Sequence, residues 1–500
     1  MKKIHIILII IGVFLFSGCE DYLTTVPSDQ YTVENFWSSE EEAQAGLTGV
    51  YQVLRGYHAN QILSSSQLTP NSSKFDDPGG WRSLARGVAQ TTNPLFQSAW
   101  DNNYRGIGRA NTVVDNVNEE NLTDTDPGVI VQIVGEAKFL RAFFYFDLVN
   151  KFSGVPLVLE TPDFEQHGSI GRNEKREVIT QILKDLDDAI AVLAQNNEPG
   201  RVTKGAALAL KARVLLYENR WSEAASTAQQ VMGLNQYSLF PDYRGLFKLE
   251  NENNSEIIWD IQFKLTEFGH SYDDAVDRHS NNSPLKELVD AYYMDDGMSI
   301  QESSLYDPQD PYKNRDPRLY QTIRLMGYMY NGKTDTPEQL DQTGFGTKKF
   351  TTYSDSTHID EIPGGKSEIN PIVIRYAEVL LTYAEAKNEE EGPVESVYNA
   401  INEIRNRPTV NMPDLPTGLT QEEMRQEIRH ERRIELALEG KYIEDMKRWK
   451  TAEIEMNGPV HDWEGNVYEV RKFDPNRDYL WAIPTQEIDL NPNLQQNPGW

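Results

Sequence analysis

The chain has 500 residues, with 77 acidic side chains against 48 basic ones and a formal charge of −29. That excess disfavours sequence-independent binding to nucleic acid, which needs lysine and arginine to replace counterions. A single cysteine, Cys19, excludes both a disulfide framework and a cysteine metal cluster. The length suits two or three average domains, or one body built from helical repeats.

Lys2 and Lys3 precede an apolar run from Ile6 to Phe16 and then Ser17-Gly18-Cys19. A basic start, a short greasy core and small residues before a cut site are the layout of a secretory signal over residues 1–18. The run is too short to span a membrane comfortably. Leu15-Phe16-Ser17-Gly18-Cys19 resembles the bacterial lipoprotein signal, with Phe16 where leucine is usual. The resemblance implies lipidation of Cys19, which becomes the mature N-terminus and anchors the chain in a membrane. Glu20 and Asp21 resemble the acidic signal that sends lipoproteins of Bacteroidota to the cell surface.

Thr32 to Leu54 reads as a first helical region, with Ser38 or Ser39 as its cap before an acidic first turn. Residues 56–99 are rich in Ser, Asn, Gly and Pro and predict a long ordered loop. Ile107, Ala110, Val114 and Val117 mark the next helix, and Ala137, Leu140, Phe144 and Leu148 mark one over Val131–Asn150. Val178, Ile182, Leu186, Ala189 and Leu193 mark another. Thr203 to Gly233 then predicts a helical hairpin, with Thr203 and Ser222 as caps and Gly233 as the stop. Its thin Ala206/Ala209/Ala212 face opposes the Trp221/Ala224/Ala225/Ala228/Val231 stripe, the pattern of a tetratricopeptide-type repeat.

Residues 234–370 change character, with Tyr, Phe, Asp, Asn, Gly and Pro crowded together. Ile257–Ile261 reads as a strand, and helical pattern is confined to a piece near Pro284–Tyr293. This region is either an irregular second lobe or a large insertion between repeats. Helices return at Ile374, Ala377, Leu381 and Ala384 and at Val397, Ala400, Ile401 and Ile404, before a long charge-laced region from Thr420 to Trp449. The tail, DYLWAIPTQEIDLNPNLQQNPGW, is too proline-rich for a helix and apolar enough to pack back on the body.

Several of these stretches, in order, resemble the SusD/RagB family of outer-membrane glycan-binding lipoproteins of Bacteroidota. They are the mature start CEDYLTTVPSDQYTVENFW, RAFFYF running into GVPL, the hairpin, RYAEVLL with AEA, Ile401 to Arg407, IRHERRIELALEGKYIEDMKRW and LWAIPTQEIDLNPNLQQNPGW. Tyr442, Ala482 and Trp500 depart from the usual residues. The resemblance implies a mostly α fold, a tetratricopeptide-like hairpin scaffold (a SusD-like α–α superhelix) carrying a large irregular, loop-rich insertion. One SusD-like domain then covers 19–500: helical scaffold 19–233 with a glycan-facing loop 56–99, insertion 234–370, and C-terminal helices with a packed tail 371–500. It implies non-catalytic binding of an oligosaccharide or polysaccharide at the cell surface. It also implies delivery of that glycan to a TonB-dependent, SusC-like transporter in the outer membrane.

Sugar recognition needs aromatic faces against pyranose C–H groups, with amides, carboxylates or arginine on the hydroxyls. In the family such groups come from loops of the early region and the middle insertion. The candidates are therefore Asn71, Phe75, Asp76, Asp77, Trp81 and Arg82 in the first, and Phe268, His270, Tyr272 and Tyr306 in the second. Trp100 and Trp259 read as framework. The run Arg429, Glu431, Arg432, Arg433, Glu435 has the i,i+4 spacing of structural salt bridges. No nucleophile elbow, zinc-binding helix motif, phosphate loop or calcium loop is present, so neither a catalytic residue nor a metal or cofactor is assigned. Two other readings stay open: a surface helical-repeat adaptor for a peptide or protein, and a glycoside hydrolase using paired carboxylates.

Overall fold

The computed structural model describes residues 36–500 except 266, 337, 338 and 341. Cys19, the signal 1–18, Glu20, Asp21 and the first residues of the predicted Thr32–Leu54 helix lie outside the described residues. The described protein is mostly helical: α1 Glu40–Tyr51, α2 Tyr57–Ser64, α3 Pro94–Asn116, α4 Pro127–Phe152, α5 Lys175–Val192, α6 Lys204–Tyr217 and α7 Trp221–Gly233, then α8 Tyr376–Glu391, α9 Glu395–Arg405, α10 Gln421–Glu435 and α11 Tyr442–Trp449. Successive helices pack on one another: α3 on α4, α4 on α5, α5 on α6, and α6 on α7. The next contact in the series is α7 on α8, across the whole stretch between them, and α8 then packs on α9 and α10. Residues 234–375 thus lie between two helices, α7 and α8, that pack on each other directly.

Local chemistry accounts for the helix ends. Ser39 caps α1, its side chain accepting from the Glu42 amide, and Thr203 caps α6 by accepting from the Ala206 amide. The α7 cap departs from expectation. Its N-cap is Arg220, not Ser222, because Asn219 takes the left-handed turn at φ 55° one step earlier. Gly233 lies within α7, and Asn235, at φ 51°, provides the left-handed exit. Close approach matters most between α3 and α4, where a Cβ on Gly106 would come 2.3 Å from Phe144 Cε2. Gly106→Ala is expected to cost about 2 kcal/mol through overpacking, read as a lower urea midpoint at unchanged slope.

Three further expectations are corrected. Residues 56–99 are loop only in part: α2, a 3-10 turn over Ser65–Leu68, a short helix Trp81–Ala85 and the start of α3 interrupt it, and 69–80 and 86–93 remain without helix. Their polarity misleads because Ser66, Thr69, Ser72 and Ser73 are buried and serve internal bonds, such as Ser72 Oγ to Asn282 Oδ1 at 2.7 Å. The 420–449 region is two helices, because Leu438 and Gly440 are left-handed and Gly440 passes against α2, where its Cβ would meet Gln61 O at 3.0 Å. The tail does form one short helix, Thr485–Leu490. It also packs back as expected: Trp481 is buried against Phe96 and Phe152, and Asn497 Nδ2 donates to Phe152 O and Trp481 O.

The insertion is tied to the scaffold by short antiparallel pairings. β2 (Ile257–Asp260) pairs with β4 (Ile372–Arg375), so its exit and return strands are zipped together. β1 (Ser72–Ser73) pairs with β3 (Ser283–Pro284), joining the early polar stretch to the insertion. Leu288, Tyr292, Leu319, Ile323 and Phe345 form its own small core, seated on Ile434, Ala437 and Leu438.

The charged run of α10 is structural, as its spacing suggests, but its partners come from elsewhere in the chain. Glu435 binds Arg375 at 2.7 Å, Arg407 at 2.7 Å and Arg318 at 3.0 Å. Glu256 binds Arg375 at 2.7 Å, and Glu439 binds Arg375 and Lys349 at 2.7 and 2.9 Å. Glu431 is held by Arg318 and Arg405. All these side chains are buried.

Candidate functional site

The β1–β3 pairing brings the early stretch and the insertion together over α2. Between them lies a cleft of about 490 Å³, lined on one side by Asn60, Ser64 and Gln67 and on the other by Lys74, Trp81, Tyr272 and Asn281. Its size is that of a small-molecule site. Gln67 Oε1 and Asn281 Oδ1 are buried there without a hydrogen-bond partner. A buried acceptor left unpaired costs roughly 1–3 kcal/mol, so both favour a ligand that donates hydrogen bonds. None of the residues lining the cleft is a carboxylate.

The candidates fall into distinct positions. Trp81 and Tyr272 line the cleft but are only 3% and 5% exposed, so they form its floor and offer no open stacking face. Tyr272 Oη accepts from Asn282 Nδ2 at 2.9 Å, and burial pushes its hydroxyl far above the ordinary tyrosine value. Phe268, 48% exposed, is not among the lining residues but lies against one of them, with the Arg55 guanidinium 4.4 Å from its centroid. His270 lines the wall, and burial lowers its pKa. Its Nδ1 accepts from the Tyr272 amide at 3.1 Å, which leaves Nε2–H to donate to Ile369 O at 2.9 Å.

The remaining candidates build the site or lie away from it. Asp77 accepts from the amides of Arg82 and Ser83, both at 2.8 Å, and so starts the Trp81–Ala85 helix. Arg82 bonds Glu469 at 3.0 Å and the Phe75 carbonyl at 2.6 Å, pinning the loop that carries exposed Phe75. Asp76 stands 3.4 Å from the Lys74 ammonium. Asn71 is an interior brace, its Oδ1 accepting from Arg433 Nε at 2.9 Å. Tyr306 is half-buried outside the cleft lining. Sequence reasoning missed Arg55, Asn60, Gln67, Lys74 and Asn281. Their types are ordinary for a surface, and only the β1–β3 pairing gathers them.

Two features lie elsewhere. A groove of about 600 Å³ runs between α3 and the tail, lined by Trp100, Tyr104, Pro156, Phe164 and Leu490. No group of three His, Cys, Asp or Glu among the described residues is placed to hold a metal ion, and no described helix is long and apolar enough to cross a membrane.

Scaffold and cleft together define a helical-hairpin superhelix that carries a loop-built recess. Residues 255–500 match the SusD family model, and residues 21–216 match a model described as starch-binding associating with outer membrane. The chain belongs to the SusD/RagB family. SusD-like protein P25 of Formosa agariphila is 26% identical over 99% of this chain and 98% of its own length. A solved SusD-like carbohydrate binding protein from Bacteroides fragilis is 26% identical, with a TM-score of 0.80 over 92% of this chain and all of that one. A solved laminarin binding SusD-like protein is 25% identical, with a TM-score of 0.73 over 93% of this chain and all of its own.

Proposed function

We propose that this protein is a non-catalytic, lipid-anchored glycan-binding protein of the outer-membrane surface. It passes a bound oligosaccharide or polysaccharide to a TonB-dependent, SusC-like transporter. The observation that carries the reading is the pair of buried, unpartnered acceptors in a polar cleft. Vicinal sugar hydroxyls are donors of the kind Gln67 and Asn281 lack, Lys74 and Asn60 can bond further hydroxyls, and the Phe268 ring offers a face for C–H groups. The family and the names of its relatives point to the same ligand class. A cleft without lining carboxylates does not supply the acid and base or nucleophile pair of a glycosidase. Cys19 is the proposed lipidation site.

The test is native-gel retardation of the chain lacking residues 1–19 on a panel that includes starch and laminarin. Retardation by at least one polysaccharide is expected, without release of reducing ends. Phe268→Ala with Lys74→Ala should weaken it about thirtyfold, since two polar or stacking contacts are each worth roughly 1 kcal/mol. No retardation across a broad panel would sink the reading. Recovery of a transporter from detergent-solubilised membranes tests the partner; recovery of some other surface protein, and no transporter, would favour an adaptor.

A further inference from the structure

The cleft is one end of a longer path. A second open depression of about 220 Å³ shares Arg55 with it, and is walled by Thr48, Gln52, Glu198, Arg201 and Gln262. A third, of about 330 Å³, shares Glu198 to Arg201 and Asp260 with the second and ends among Asn196, Gln236, Tyr237 and Asn253. The three depressions are therefore neighbours through shared lining residues, with Arg55 at the first junction and the 198–201 loop at the second.

That second junction is rigid. Gly200 sits at φ +78° where a Cβ would come 2.2 Å from Gln262 Cγ, and its carbonyl accepts from Trp259 Nε1 at 3.2 Å. Arg201 is held 2.8 Å from Glu136 and stacks 5.2 Å from the Tyr51 ring centroid. At the far end Gln236 Oε1 is buried without a partner, repeating the unmet acceptors of the first cleft. Amide, hydroxyl and charged groups thus line the whole path, and both ends ask for donors.

We infer that the three depressions form one track for an internal stretch of a long, linear polysaccharide, which lies across the 198–201 loop instead of entering the cleft by a chain end. The inference rests on the glycan reading above and specifies its substrate class. Its test uses size-graded fragments of whichever polysaccharide retards the protein, from the disaccharide upward, titrated calorimetrically. Affinity is expected to keep rising with fragment length after the first cleft is filled. Glu198 and Gln52 are exposed, so Glu198→Ala with Gln52→Ala should leave the urea midpoint unchanged. That variant should lose about tenfold in affinity for long fragments, the loss of two hydrogen bonds, and less than about twofold for the shortest binding fragment. Equal affinity for short and long fragments, or equal loss on both, would overturn the track while leaving the glycan reading intact. Failure of the unmodified chain to bind any polysaccharide would overturn both.

Discussion

Glu435→Ala is expected to lower the unfolding free energy by about 3–5 kcal/mol, the cost of breaking a buried ion pair from one side. The single carboxylate faces three guanidiniums, those of Arg375, Arg407 and Arg318, all of them buried. Burial pushes the Glu435 carboxyl up, but Arg407, Arg375 and Arg318 together outweigh it and hold it well below the usual carboxylate range. Removing it leaves the five cations Arg318, Arg375, Arg405, Arg407 and Lys349 against four carboxylates, Glu256, Glu431, Glu439 and Asp316, so one positive charge goes uncompensated in a dry site. Urea unfolding followed by circular dichroism measures the effect. A Glu435→Ala midpoint equivalent to a loss below about 1 kcal/mol would show that the network behaves as a solvated surface cluster.

Acidification should destabilise the protein in two successive steps. His58 is buried against Phe143 and Phe144, with both ring nitrogens unpartnered. Burial lowers its pKa from 6.5 to about 4, against the pull of Asp147 and with the push of Lys151. His430, stacked 3.7 Å from Tyr293, is lowered to about 3, first by burial and then by Arg318 and Arg433. For both groups the unfolded chain binds the proton first, so stability is full above pH 6.5 and falls as pH drops through 6.5 toward 4 and 3. His58 accounts for about 3 kcal/mol across its window and His430 for about 5 kcal/mol. The second step belongs to the glutamates. Burial raises Glu378 and Glu385, but Arg213 and Arg448 outweigh it and bring each to about 2. Their contribution is present above the unfolded value near 4.5 and is lost as pH falls from there toward 2. Melting temperature against pH should therefore begin to fall below pH 6.5. His58→Phe should remove a little under half of the first step and leave the second intact. A profile flat from pH 7 to 5, or one unaltered by His58→Phe, would refute this assignment.

What could be read in advance follows from the range of the forces involved. Helix periodicity is local, so α3 to α7 and α9 were legible from the spacing of residues such as Val178, Ile182 and Leu186. Ser39 and Thr203 were legible because a cap acts within three residues. Ser222 was misjudged because capping depends on which preceding residue takes the left-handed turn, and Asn219 takes it first. Within 56–99 the helical 57–68 reads as loop because a buried serine looks the same in sequence as one in water. The cleft was half legible. Trp81, Phe268 and Tyr272 stand in or beside it, but residue type could not say that Trp81 is its floor and Phe268 an open ring beside it. Gln67 and Asn281 become notable only when pairing over more than two hundred residues leaves their oxygens unmet.

The seam at which the insertion leaves and rejoins the superhelix has a consequence for how such a chain can diversify. Glu256 stands at the exit beside β2, and Arg375 at the end of β4 binds it together with Glu435 and Glu439, while α7 meets α8 directly. The insertion is thus closed at its neck by charges that do not line the cleft or the track. Between Asp260 and Ile372 it has the layout of a cassette: apart from Asp316, Arg318 and Lys349, which join the buried network at Glu435 and Glu439, residues there can be exchanged to suit a different ligand while the neck keeps the repeats in register. A graft of that interval that keeps Asp316, Arg318 and Lys349, from a relative with another glycan preference, should transfer the preference without unfolding the host.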